Sequence, residues 1–159
     1  MNIINIDAAS MINGDGVRLV IWFAGCSLNC DGCQNKDMQK FNSGKEVSPK
    51  KLASLVIEYL NDNKLVNGIT LSGGNPQEQP DLLIFLKAIR KLMPQINIWA
   101  WSGYTWDKIQ QTPTLKEHLD YIDTIITGPY IKALHCECEY YGSTNQEAWR
   151  KTEGTWKKD

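Results

Sequence analysis

Four short apolar segments, each followed by a loop that contains glycine, constrain most strongly what this chain can fold into. The segments are rich in β-branched and aromatic residues, which is typical of buried strands, and they lie at residues 17–23, 68–71, 96–101 and 121–126. Sequence with helical character follows or separates them at residues 50–61, 80–92, 106–110 and 115–119. This repeated order of strand, loop and helix predicts an α/β fold with a largely parallel sheet.

The domain organisation is predicted from the length of the chain and from the linkers and repeats that it lacks. A chain of 159 residues fits one domain, and neither an internal repeat nor a linker rich in Gly, Pro or Ser divides it. We therefore expect residues 1–159 to form a single compact domain. Ser48 followed by Pro49 is a typical start for the first helix. A further edge strand is expected at residues 154–157.

Composition and charge exclude several classes of function. The formal net charge is −1, with no basic stripe, so nucleic-acid binding has no electrostatic support. The longest apolar stretch, residues 17–26, is interrupted by Arg18 and is too short to span a bilayer. The first residues lack the pattern of a signal peptide. We expect a cytoplasmic, reducing location without membrane contact, in which cysteines serve as metal ligands, redox groups or buried thiols.

The cysteines carry the strongest chemical signal. Three of the five, Cys26, Cys30 and Cys33, fall within eight residues, and thiolates suit iron–sulfur clusters or zinc. Ferredoxin clusters commonly use four cysteines, so this loop would leave one iron open to a small molecule carrying an amine and a carboxylate. The alternative is a structural zinc site. Its fourth ligand would come from Cys136, Cys138, His135 or His118.

Distinctive loops follow all four predicted strands. They are the cysteine loop, Gly73-Gly74, Ser102-Gly103 and Gly128-Pro129. The carboxyl ends of parallel strands meet at one rim, so these loops should build a shared pocket. Glycines would let the backbone approach a ligand closely, although a plain strand-to-helix turn is the alternative for the Gly-Gly pair.

Cys136 and Cys138 are interpreted as two free thiols in a loop.

The motifs beyond the cysteines narrow the family. They read NGDGVR at residues 13–18, LSGG at 71–74, WSGY at 101–104, GSTNQ at 142–146 and GTW at 154–156. With these motifs the chain resembles the radical S-adenosylmethionine superfamily, and within it the activases of glycyl-radical enzymes that serve anaerobic ribonucleotide reductases. The resemblance extends from Asn13 to the last residue and implies an incomplete (β/α) barrel, whose open side would suit docking of a large protein.

The resemblance also implies a mechanism. A 4Fe–4S cluster held by Cys26, Cys30 and Cys33 binds S-adenosylmethionine at its fourth iron, and an electron from a flavodoxin-like donor cleaves the sulfonium. The resulting 5′-deoxyadenosyl radical takes a hydrogen from a glycine of the large subunit of the anaerobic ribonucleotide reductase. Two rivals remain open: a radical S-adenosylmethionine enzyme with a small-molecule substrate, and a non-enzymatic binding module stabilised by metal.

The resemblance assigns further site residues. Those implied to contact S-adenosylmethionine are Gly32, Gln34, Gly73, Gly74, Asn75, Ser102 and Asn145. Ordinary turn capping explains Ser102 and Asn145 equally well. Three positions depart from the family pattern. Asn75 replaces an acidic residue after the Gly-Gly pair, Thr127 replaces an Asp, and Glu147 replaces an Arg.

Overall fold

The computed structural model describes residues 1–159, whose backbone forms one mixed sheet and four α-helices. The strands are β1 (Asn2–Ser10), β2 (Arg18–Phe23), β3 (Lys45–Glu46), β4 (Gly68–Gly73), β5 (Asn97–Ser102), β6 (Thr124–Thr127), β7 (Glu147–Thr152) and β8 (Thr155–Lys158). The helices are α1 (Pro49–Asp62), α2 (Leu82–Leu92), α3 (Trp106–Gln111) and α4 (Pro113–His118). Short 3₁₀ turns lie at Lys36–Met38, Pro76–Glu78 and Lys132–Leu134.

The sheet has a parallel centre and antiparallel edges. Its strand order is β3-β1-β2-β4-β5-β6-β7-β8. Strands β2, β4, β5 and β6 run parallel to one another, whereas β1, β3, β7 and β8 join antiparallel at the two sides. The edge strands β3 and β8 do not pair with each other, so the sheet stays open. No helix combines the length and the apolar character that a membrane crossing requires.

The α/β prediction is confirmed, and its four strands and four helices match observed elements with ends shifted by up to three residues. Ser48 caps α1 by accepting a hydrogen bond from the backbone N–H of Lys51, and Pro49 is the first helical residue. The expected edge strand is β8. Strands β1, β3 and β7 were not predicted, because their residues are largely polar or exposed and lack the apolar run of a buried strand.

The two faces of the sheet have different surroundings. Successive side chains of a strand point to opposite faces, and one face of β2 carries Leu19, Ile21 and Phe23 into a core cluster of 23 buried residues. All four helices contribute buried side chains to that cluster. The opposite face carries the smaller cluster of Trp99, Ile126 and Ala148. The helices therefore cover one face and leave the other face free to line a cavity.

Arg18 ties together the first residues of the central parallel strands. Its side chain is only 1% exposed, and it donates hydrogen bonds to Thr70 Oγ1 at 3.0 Å, Ile69 O at 2.6 Å and Asn97 Oδ1 at 2.9 Å. A Cβ atom on Gly68 would overlap the guanidinium, so that glycine makes room for it. Burial lowers the pKa of Arg18 to about 10. This value is still well above neutral pH, so the guanidinium stays charged.

Replacing Arg18 should therefore destabilise the fold strongly. We expect Arg18→Ala to lower the free energy of unfolding by about 3 kcal/mol, since it leaves buried acceptors without a donor. Arg18→Lys should also lower the free energy of unfolding, because a single ammonium group cannot reproduce the several hydrogen bonds that the planar guanidinium donates. Urea unfolding with an unchanged m-value measures both changes. The exposed Lys50→Ala is the control, and a loss from Arg18→Ala no larger than the control's would contradict this role.

Candidate metal centre

A cavity of about 770 Å³ lies at the carboxyl ends of the four parallel strands. Its volume is in the range of cofactor and small-molecule sites. Every strand-end loop singled out in the sequence contributes to its wall: Cys26, Cys30, Cys33, Gly73, Gly74, Ser102, Gly103, Gly128 and Pro129. The loops that were expected to share a pocket therefore do share one.

The cysteine loop is closed at its base by backbone hydrogen bonds. Gly25 N–H donates to Met38 O at 2.8 Å, and Cys26 N–H donates to Gln39 O at 2.9 Å. Cys26, Cys30 and Cys33 are free thiols of intermediate exposure. The pKa of Cys26 is raised, first by burial and then by the neighbouring negative charge of Glu78. A metal that binds the thiolate would offset this cost of ionisation.

The donor set fits a cluster with three protein ligands. No three His, Cys, Asp or Glu side chains stand together as a preformed metal site. The three free thiols nevertheless line one cavity from a single loop, and they are soft donors of the kind that iron–sulfur clusters use. They number one fewer than the four cysteines of a ferredoxin cluster.

A closed zinc site is poorly supported by the same cavity. His118 is buried on α4 and is not among the cavity residues. His135 does line the cavity, but its Nδ1 lies 3.0 Å from Gly142 O and 3.3 Å from the Tyr130 hydroxyl. Cys136 and Cys138 are bonded to each other. Of the four candidates for the fourth zinc ligand, His118 lies outside the cavity and the two cysteines are bonded to each other, which leaves only the Nε2 atom of His135.

The Gly73-Gly74 pair joins the ends of β4 and β2. Gly73 has φ +103°, and a Cβ atom there would overlap the backbone of Phe23. A Cβ atom on Gly74 would overlap the carbonyl of Gly25. Gly74 N–H donates to Phe23 O at 2.8 Å, and Asn75 N–H donates to Gly25 O at the same distance. The close approach that these glycines permit is to the chain's own backbone, at the end of β2 and the start of the cysteine loop.

The structure separates the other predicted site residues into two groups. Gln34 and Ser102 line the cavity, and Ser102 Oγ also accepts a hydrogen bond from Tyr104 N–H at 3.2 Å, which is the turn-capping contact. Gly32, Asn75 and Asn145 are not among the lining residues. Gly32 has φ +71° and turns the chain between the second and third cysteines.

The two asparagines make protein contacts instead. Asn75 is 0% exposed, and its Nδ2 donates to Glu78 Oε1 at 3.0 Å. Asn145 Nδ2 donates to Pro129 O at 2.8 Å, and the residue borders a neighbouring cavity of about 380 Å³. Thr127 and Glu147, the other departures from the family pattern, border that second cavity as well.

Several site residues were missed by sequence reasoning. Asp7 and Trp22 line the cavity and are joined by a 2.7 Å hydrogen bond from the indole Nε1 to the carboxylate. Asp7 could not be placed because β1 was not predicted. Glu78, which contacts the cysteine loop, lies three residues beyond Asn75 and carries no motif signal of its own. Tyr140 closes the cavity from the segment between β6 and β7.

The expectation of two free thiols at Cys136 and Cys138 is wrong. These residues form a disulfide whose Cα atoms are 5.4 Å apart. That separation lies within the range a disulfide can bridge, so one intervening residue is enough when the chain bends. Both cysteines belong to the cavity wall. The segment is held by hydrogen bonds from Cys136 N–H to Gly142 O and from Thr144 N–H to Leu134 O, each 2.9 Å.

Comparison with known proteins identifies an iron–sulfur domain. A family described as "4Fe-4S single cluster domain" matches residues 12–149, a span that contains all five cysteines. The chain is thus of the class of proteins built on one 4Fe–4S cluster domain.

Relatives specify the family further. One from Enterobacteria phage T4 is 32% identical over 162 aligned positions, which cover 100% of both chains. One from Escherichia coli (strain K12) is 33% identical over 86% of this chain and 90% of its own length. One from Pasteurella multocida is 28% identical over 96% of this chain and 99% of its own. The chain belongs to the family that these relatives share, the anaerobic ribonucleoside-triphosphate reductase-activating proteins.

The disulfide predicts a specific thiol count. When the cluster-free protein is denatured without reductant, a maleimide should modify three cysteines, because Cys136 and Cys138 are bonded to each other. Prior reduction should raise the number to five. Mass spectrometry of the intact chain and of the peptide containing residues 136–138 gives both numbers. The Cys136→Ser/Cys138→Ser variant should give three in both conditions, and five modified cysteines without reduction would contradict the pairing.

Proposed function

We propose that this chain activates an anaerobic (class III) ribonucleotide reductase by cleaving S-adenosylmethionine reductively at a 4Fe–4S cluster. The product would be a glycyl radical on the large subunit of the reductase. The observation that carries the proposal is the placement of three free thiols and the Gly73-Gly74 turn on one cavity. The relatives support it, since each is named for activating an anaerobic ribonucleoside-triphosphate reductase.

Cys26, Cys30 and Cys33 would hold the cluster. When bound, it supplies an electron and one iron without a protein ligand, the chemistry needed to split S-adenosylmethionine into methionine and a 5′-deoxyadenosyl radical. The loop hydrogen bonds at Gly25 and Cys26 hold the first ligand at the end of β2. A flavodoxin-like protein would be the electron donor.

The remaining site residues divide into contact and support roles. Gly73, Gly74, Gln34 and Ser102 border the cavity and would contact S-adenosylmethionine. Gly32, Asn75 and Asn145 lie outside the cavity wall and would act indirectly, by fixing the conformation of the loops whose residues contact S-adenosylmethionine. Asn145, for example, fixes the Pro129 carbonyl with a 2.8 Å hydrogen bond.

The fold supports an incomplete (β/α) barrel of the radical S-adenosylmethionine type, with residues 1–159 as one domain. The parallel strands carry their helices on one face and the cavity on the other, which is the layout of a barrel wall. One core cluster extends from Met1 to Ile125 and packs against Trp149 and Trp156. The unpaired sheet edges leave a side through which a glycine segment of a large protein could reach the cavity. A small-molecule substrate is not favoured, because the relatives are named for a protein target.

Loss of one proposed ligand should abolish the chemistry. We expect Cys30→Ala to bind less iron after anaerobic reconstitution and to release methionine from S-adenosylmethionine under dithionite at least about 100-fold more slowly. The Cys136→Ala/Cys138→Ala variant should keep the iron content of the original chain, since neither residue belongs to the ligand set. Undiminished methionine release by Cys30→Ala would refute the assignment of the ligands.

The proposed product can be tested directly. We expect the reconstituted chain, S-adenosylmethionine, a reductant and the large reductase subunit together to give a glycyl-radical signal in electron paramagnetic resonance. The signal should be absent when Cys30→Ala replaces the original chain. A reductase variant with its radical-bearing glycine changed to alanine is the matched control. Methionine release without any glycyl signal would contradict the proposed partner and favour another substrate.

A further inference from the structure

Glu78 connects the cysteine loop to the turn that follows β4. Glu78 is the last residue of the 3₁₀ turn Pro76–Glu78, which comes directly after the Gly73-Gly74 pair and Asn75. The backbone N–H of Ser27 donates to the Glu78 carboxylate, with Oε1 at 3.2 Å and Oε2 at 3.1 Å. Because Ser27 follows Cys26 immediately, this contact fixes the peptide next to the first proposed cluster ligand.

Asn75 holds the same carboxylate from the other side. Its Nδ2 donates to Glu78 Oε1 at 3.0 Å, its backbone N–H donates to Gly25 O at 2.8 Å, and its backbone carbonyl accepts from Glu78 N–H at 2.9 Å. The side chain is 0% exposed and its Oδ1 has no hydrogen-bond partner. A carboxylate at position 75 would have no hydrogen to donate to Glu78 and would place two like charges in contact.

A third strand-end loop reaches the same carboxylate. Tyr104, in the loop after β5, is close enough to feel this carboxylate: its pKa is raised first by burial and then by the charge of Glu78. The loops after β2, β4 and β5 thus meet around one half-buried carboxylate. Glu78 is therefore not simply a solvated surface acid, since its carboxylate accepts from Ser27 N–H of the cysteine loop and from Asn75 Nδ2 of its own turn.

We propose that Glu78, oriented by Asn75, is a positioning residue that holds the cysteine loop and the Gly73-Gly74 turn in register. The inference rests on the proposed function, in which the first loop carries the cluster and the second contacts S-adenosylmethionine. Neither side chain lines the cavity, so the pair acts through Ser27 and through the backbone of Gly25. The amide at position 75 and the acid at position 78 form one unit, in which a change at either position requires a compensating change at the other.

The first test measures the positioning contact without any cluster. In the cluster-free full-length chain, Glu78→Ala should speed hydrogen exchange of the Ser27 amide by about tenfold, because the bond to a charged acceptor is lost. Glu78→Gln keeps one acceptor oxygen and should give a smaller increase. Glu58→Ala, which removes an exposed acid on α1, is the control and should change nothing. Unchanged exchange at Ser27 in Glu78→Ala would overturn the proposal.

The second test uses the reconstituted protein and a double-mutant cycle. Asn75→Asp should raise the KM for S-adenosylmethionine by about tenfold, with a smaller effect on kcat, because two carboxylates then repel each other. The electron paramagnetic resonance spectrum of its reduced cluster should respond to S-adenosylmethionine only at correspondingly higher concentration. The swapped pair Asn75→Asp/Glu78→Gln restores a donor opposite an acceptor, so its KM should return to within about threefold of the original value.

The outcomes separate the two levels of the proposal. If the swapped pair multiplies the defects of the single variants, or if Asn75→Asp behaves as the original chain, the coupled pair is refuted. Variants are compared at equal iron content, so that failure to assemble the cluster is not mistaken for poor positioning. If the original chain itself cleaves no S-adenosylmethionine, the proposed function fails. The Ser27 exchange result still decides whether Glu78 holds the loop.

Discussion

The close contact between the ends of β2 and β4 is the constraint on which the site depends. Gly74 N–H donates to Phe23 O at the end of the neighbouring strand β2, and Asn75 N–H donates to Gly25 O just beyond it, each at a distance of 2.8 Å. Only residues without a Cβ atom at positions 73 and 74 allow this approach. Cys26 follows Gly25 directly, so these backbone contacts would set the place of the proposed cluster ligands. Side-chain contacts such as that of Glu78 then refine a position that the glycines have already fixed.

The opposite end of the sheet is organised by a different kind of interaction. There Arg18 supplies charged donors to acceptors on the neighbouring strands, and Gly68 leaves the space for its guanidinium. The central strands are thus held at their beginnings by a buried cation and at their ends by glycine backbone contacts. Between the two, alternation along each strand sends one set of side chains into the large core beneath the helices and the other set to the opposite face, where Trp22, Ser72 and Trp101 line the cavity. The same period-two pattern builds both the core and the cavity wall.

Sequence reasoning succeeded where burial leaves a compositional mark. The parallel strands are apolar on the helix side, so their runs stand out, and the loops at their ends could be placed together by topology alone. It failed for β1 and β7, which are stabilised by pairing with neighbours and keep much of their surface exposed. Sequence reasoning also failed for contacts that depend on the direction in which a side chain leaves the backbone. Asn75 follows the Gly-Gly pair directly yet turns away from the cavity, and the acid that reaches the cysteine loop is Glu78.

The disulfide bears on how many ligands this chain can offer a cluster. All five cysteines line one cavity, and five thiols in one place could complete a four-cysteine ligand set of the ferredoxin kind. A sulfur engaged in a disulfide is not a thiolate and does not serve as a metal ligand. Because Cys136 and Cys138 are bonded to each other, the cavity retains three available thiols, all on the loop after β2. Three thiolates cannot saturate four irons, so a cluster held by these cysteines alone would have one iron without a cysteine ligand, as the proposed function requires.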